Sequence, residues 1–212
     1  DTEKESEDLA HANAEKKSIF DFPHVILGAF AIFLHVGTQI ISIDTIINYA
    51  ISMNMPLLEA KSFPAYVLSA TIVGYIIGII AIPKYISQVN ALRLCTILGI
   101  TLTFLITTNH TNVDILGHHT SLSIWFVVLL GLANSLVWAA IWPLAMDGLG
   151  RFTKLGASLL IMGLSGNALI PLVYGSIADH VGVQQAYWIL LPCYSYLFFY
   201  AIKGHKIRKW KV

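Results

Sequence analysis

The sequence predicts an all-α membrane protein with six transmembrane helices. Three observations carry the prediction. Only 12% of the 212 residues are charged and 56% are hydrophobic, where a soluble domain carries about 25% charge. Six apolar stretches reach the roughly 20 residues that a helix needs to cross a bilayer. Lys and Arg collect in alternate connections. Hydrocarbon offers no partner to backbone N–H and C=O groups, so each stretch must satisfy its own, as a helix does.

The opening "DTEKESEDLAHANAEKKS" (1–18) is polar, starts with Asp1 rather than Met, and contains no signal peptide. It reads as part of a longer or processed chain. The spans follow at about 24–51, 64–83, 89–108, 121–146, 154–178 and 184–202, and a basic tail occupies 204–212. Their short connections make neighbours antiparallel. Of the 13 Lys and Arg residues, all but Lys61 fall on one side of this arrangement. Cationic connections face the cytoplasm, which predicts both termini there. Trp125, Trp142, Tyr187, Trp188, Tyr200 and Trp210 lie near span ends, where aromatic belts sit. The sixth span is rich in aromatics and free of charge, and reads as lipid-facing and peripheral.

Polar groups inside spans are expensive and read as functional by default, or as hydrogen-bonding glue between helices. On the first span His35, Thr38, Gln39 and Ser42 share one face, while Asp44, Asn48 and Gly37 lie opposite, at 100° per residue. Either the helix unwinds between the two sets or one set packs. Gln39 and Asn48 are candidate substrate contacts; Asp44 and His35 are candidates for ion or proton coupling. On the fourth span Asn134, Trp138 and Trp142 recur every four residues as one stripe. An indole can stack on the C–H face of a sugar, and a carboxamide can bridge vicinal hydroxyls. Pro143 should kink the end of this helix. On the fifth span Gly163, Asn167, Pro171 and Gly175 share that spacing, which predicts close packing with a kink and makes Asn167 a ligand candidate. Gly74 and Gly78 on the second span form a small-residue packing face.

Net charge is +1, so no basic field points to nucleic acid. Cys95 and Cys193 sit in apolar runs and read as buried thiols, without disulfide or metal-ligand spacing. His118 and His119, in an exterior connection, read as solvated. No cofactor motif occurs. "GLSG" (163–166) matches the G-x-S-G of intramembrane serine proteases, but a serine nucleophile needs a base within reach, and the last span has no histidine.

The stretch "IWPLAMDGLGRFTKLGAS" (141–158) interrupts the grease with glycines and two cations. It follows a span rather than a β-strand, so it is not a phosphate loop. Asp147, Gly148, Gly150, Arg151 and Lys154 read as a cytoplasmic hinge between the fourth and fifth spans.

That stretch, continued to Pro171, together with "VGTQIISIDTIINY" (36–49) and "GSIADHVGVQQAYWILLPCYSYLFFYA" (175–201), resembles the fucose/glucose/galactose:proton symporter family of the major facilitator superfamily, over most of residues 24–201. The match is to the carboxy-terminal half, helices seven to twelve. The resemblance implies that residues 1–20 are the cytoplasmic loop between halves, 21–203 the six-helix bundle, and 204–212 a cytoplasmic tail. It implies a bacterial inner membrane location, alternating access around a midplane sugar site, and a cavity lined by the first, second, fourth and fifth spans. Its partners would be a hexose or deoxyhexose, a coupling cation, the missing amino-terminal six-helix half and the lipid bilayer. The family often has glutamate where Gln39 stands; a neutral amide carries no proton, which leaves proton or sodium as the coupling ion. The alternatives are a complete six-helix unit acting as a homodimer, and an intramembrane serine protease using Ser165.

Overall fold

A computed structural model describes residues 17–82 and 84–210; the polar opening up to residue 16 lies outside the described residues. The helices are α1 (Pro23–Asp44), α2 (Ile46–Ser52), α3 (Leu57–Ala60), α4 (Phe63–Ala81), α5 (Gln88–Thr108), α6 (Leu122–Ser135), α7 (Val137–Met146), α8 (Thr153–Met162), α9 (Gly166–Val181), α10 (Val183–Ala186) and α11 (Leu190–Ile202). Among the described residues, five helical segments are long and apolar enough to cross a membrane: Pro23–Asp44, Leu57–Ala81, Gln88–Thr108, Leu122–Met146 and Gly150–Val181. The sixth predicted span is the helical run from α10 through the 3-10 turn Tyr187–Ile189 to α11, less apolar because it carries Gln184, Gln185 and four tyrosines.

The first and fourth spans form the centre. α1 packs against α7, α8, α9 and α11; α6 packs against α4 and α5; α5 also packs against α11. The second and fifth spans are the least enclosed, exposing Ile72, Ile79 and Ile80 on one and Leu155, Met162 and Leu172 on the other. Such apolar exposure fits lipid or a further protein surface, not water.

The first span breaks at Thr45, between α1 and α2. The Thr45 hydroxyl lies 2.7 Å from the Ile41 carbonyl and 2.9 Å from the Tyr187 hydroxyl. The fourth span breaks at Leu136, not at Pro143, which sits inside α7. Proline has no N–H to give the carbonyl four residues back. That carbonyl, on Ala139, accepts instead from the Gln88 side-chain amide at 2.7 Å.

Three glycines fuse the first span to the fifth. A Cβ at Gly163 would meet the Ala29 carbonyl, one at Gly166 the Phe33 carbonyl and Cα, and one at Gly37 the side chain of Ile170. The partners advance together, so the two spans run parallel at near backbone contact. Gly175, expected in the same seam, has nothing within 4 Å of a Cβ.

The sixth span is not merely lipid-facing. Tyr187, Leu190, Tyr194, Leu197 and Ala201 are fully buried. Tyr200 donates to the His24 carbonyl (3.2 Å) and Tyr196 to the Leu27 carbonyl (3.1 Å), pinning it to α1. Tyr187 and Tyr200 are therefore core residues rather than members of an interfacial belt.

The third connection contains an antiparallel hairpin, β1 (Asn112–Ile115) and β2 (His118–Ser121), with Ile115 opposite His118. Leu116 and Gly117 turn it with φ of 55° and 79°, as a two-residue hairpin turn of this hand requires. His118 is not solvated. Its ring contacts Phe63, Tyr66 and Trp125, its Nε2 lies 3.2 Å from the Tyr66 hydroxyl, and its Nδ1 pairs with Glu59. The hairpin is thereby clamped to α3 and α4.

Candidate functional site

Close contacts set the relative depths of the spans. Gly28 abuts Ala145, and Thr38 donates to Asn134 Oδ1 at 3.3 Å, so α1 and the fourth span run antiparallel. Combined with the parallel glycine seam, these pairs place Gln39, Asn134, Trp138 and Asn167 within about 8 Å of depth at 1.5 Å per residue. Asp44 and Asn48 lie further outward, near the helix break.

The residues differ in what they touch. Gln39 is half-buried, Asn167 and Asn48 are exposed, and none of the three side chains has a hydrogen-bond partner among the described residues. Trp138 and Trp142 are half-buried and stacked, with ring centroids 5.7 Å apart and planes at 25°. These side chains leave polar atoms and an indole surface unspent. Asn134 is different: it is 1% exposed, and its Oδ1 accepts from Thr38 and from Tyr194 (3.0 Å). It lies inside the bundle, behind the face that carries Trp138.

The two polar faces of the first span separate in the same way. His35, Thr38 and Ser42 are fully buried. Thr38 donates to the His35 carbonyl and Ser42 to the Gln39 carbonyl, both at 2.7 Å. The His35 ring nitrogens have no hydrogen-bond partner among the described residues. Asp44 is exposed, at the carboxy-terminal end of α1.

The turn after the fourth span holds Gly148 and Gly150 at φ of 73° and 50°, a conformation that favours glycine. Asp147 ion-pairs with Arg208 of the tail. Its carbonyl accepts from Arg208 Nη1 at 2.9 Å and lies 3.0 Å from His24 Nε2. The Arg151 guanidinium lies 4.9 Å from the Phe152 ring centroid, and Lys154 is exposed. Trp210 donates to the Phe20 carbonyl at 2.8 Å, so the tail ties the start of α1 to the end of α7.

Tyr194, the partner of Asn134, was not singled out in the sequence, and Tyr187 and Tyr200 read there as belt residues. Tyr187, Leu190, Tyr194, Leu197 and Ala201 recur at spacings of three and four, a buried-stripe signal that aromatic content obscured. Ser165 is exposed and its hydroxyl donates to the Met162 carbonyl at 2.9 Å, a bond within its own helical run.

No protein-family model matches the chain. A glucose/galactose transporter of Brucella abortus (biovar 1, strain 9-941) is 30% identical over 205 residues, which cover 95% of this chain and 47% of that protein. The chain spans about half the length of the curated relatives it matches. The crystal structure of the major facilitator superfamily transporter FucP in its outward conformation superposes with a TM-score of 0.75 at 20% identity, over 84% of this chain and 41% of that one. A further crystal structure of FucP, described as the E. coli fucose:proton symporter, gives the same score. The chain thus has the fold of about half of a major facilitator superfamily transporter and is similar, along nearly all its length, to a glucose/galactose transporter.

Proposed function

We propose that these residues form the carboxy-terminal half of a secondary active sugar transporter. Gln39, Trp138 and Asn167 contact a hexose or deoxyhexose between this half and an amino-terminal six-helix half. Asn134 supports the Trp138 face from within, and Asn48 stands at the outer rim. The observation that carries the reading is the presence of unengaged carboxamides and an indole within about 8 Å of depth on three adjoining spans. Such groups can bond hydroxyls and stack on a sugar ring, and the relatives' names support sugar as the substrate class.

The coupling cation is a proton or sodium. Asp44 is the exposed carboxylate of the first span, and His35 its enclosed base. The cation bias of the connections supports a topology with both termini, the tail clasp and the turn at 148–150 in the cytoplasm, and the bacterial relatives support an inner membrane location. The turn then serves as a hinge when the halves rock.

Uptake of labelled fucose, glucose and galactose by the full-length protein tests the reading. Each lost hydrogen bond should weaken apparent sugar affinity by about two- to tenfold. Gln39→Ala and Asn167→Ala should raise KM on that scale, and Trp138→Ala should remove the stacking surface. Unchanged KM and kcat in all three variants would refute this site.

A further inference from the structure

The second and third spans do not close against each other. Toward the ends joined by residues 82–87, α4 and α5 diverge over the fourth span and leave a groove of about 160 Å³. Gly78, Ala81, Leu94 and Cys95 form walls and Leu136 forms floor. Gly78 seats Leu136, which a Cβ there would strike, and the small side chain of Ala81 leaves the slot beside it open. Ile77, Ile80 and Leu94 beside it are 52%, 63% and 56% exposed, on segments apolar enough to cross a membrane.

The groove lies on the flank where α5 packs against the fourth and sixth spans, away from the seam of the first and fifth spans. Between its lining residues Ile82 and Ile86 the chain carries an exposed cation, Lys84, with Nζ 5.2 Å from the Tyr85 ring centroid; Tyr85 is itself 70% exposed. An apolar slot at membrane depth, ending in a cation and an interfacial tyrosine, complements a ligand with an alkyl chain and an anionic head. We propose that it seats one acyl chain of an anionic phospholipid, with the phosphate at Lys84. The inference requires only that the spans cross a membrane, so it stands independently of sugar transport.

The test uses the full-length protein, purified in detergent and titrated with phosphatidylglycerol or phosphatidylcholine, with bound lipids counted by native mass spectrometry. One lysine at a membrane surface corresponds to about a fivefold preference for anionic lipid. The wild type should retain phosphatidylglycerol over phosphatidylcholine by that factor, and Lys84→Glu should abolish the preference. Ala81→Phe should lower retention of both lipids by filling the slot. Lys84 is exposed and Ala81 half-buried, and thermal melting checks that both variants fold. Three results would overturn the proposal: undiminished preference in Lys84→Glu, undiminished retention in Ala81→Phe, or disulfide cross-linking of Ile86→Cys to the amino-terminal half, which would put protein in the slot.

Discussion

Gly166→Ala sets backbone against side chain at one point. The added methyl would land on the Phe33 carbonyl and within contact of the Phe33 Cα. Neither can rotate away, so α1 and α9 must separate. Overpacking of this kind costs about 1–3 kcal/mol. Helix propensity returns up to about 1 kcal/mol, since alanine is the better helix former. The net cost is about 1–2 kcal/mol, which lowers the folded-to-unfolded ratio by roughly five- to thirtyfold. Gly175→Ala on the same helix supplies the control: nothing lies within 4 Å of its added methyl, so only the propensity gain of about 0.5–1 kcal/mol applies. Melting of the purified full-length protein, followed by tryptophan fluorescence, should show a lower Tm for Gly166→Ala and an equal or higher one for Gly175→Ala. A Gly166→Ala protein that melts with the wild type would show that the seam is looser than these contacts require, and the parallel pairing of the two spans would fall with it.

Gln88→Leu should destabilise by about 0.5–1.5 kcal/mol, the net worth of the exposed hydrogen bond to the Ala139 carbonyl that Pro143 cannot serve; a melting temperature equal to wild type would contradict that role. Arg208→Ala should change stability by no more than about 1 kcal/mol, since both partners of the Asp147 pair are well exposed, yet hydrogen exchange near Trp210 should quicken. His118→Ala should speed exchange across Asn112–Ser121 by releasing the hairpin from Glu59 and Tyr66; unchanged exchange would mean that the strands hold themselves. On the half-transporter reading, which leaves one wall of the cavity to another six helices, the 212 residues expressed alone should catalyse no sugar uptake in vesicles; uptake by the monomer would refute that reading.

Much of this was legible in the sequence, because membrane helices announce themselves by length and charge. The spans, the small-residue contacts of Gly74 and Gly163 and the turn at Gly148 and Gly150 were all readable from spacing. The break at Thr45 could be framed only as a choice, since a periodicity argument shows two faces but not which one is covered. Pro143 misled for a physical reason: the Ala139 carbonyl it abandons is satisfied by Gln88, 51 positions away in sequence, so the helix need not bend there. The burial of Tyr194 and the clamping of His118 depend on partners on other spans, which local patterns do not encode. Asn134 and Trp138 look equivalent on one helical stripe, yet Tyr194 and Thr38 claim only the former.

The glycine seam has a mechanical consequence. Because Gly37, Gly163 and Gly166 bring two parallel helices to backbone contact, the first and fifth spans cannot slide without a clash at three levels. In the proposed transporter, Gln39 and Asn167 would then travel as fixed points on a single body, and their mutual spacing could not report whether a sugar is present. Whatever distinguishes an occupied cavity from an empty one must be registered across the gap to the opposing body.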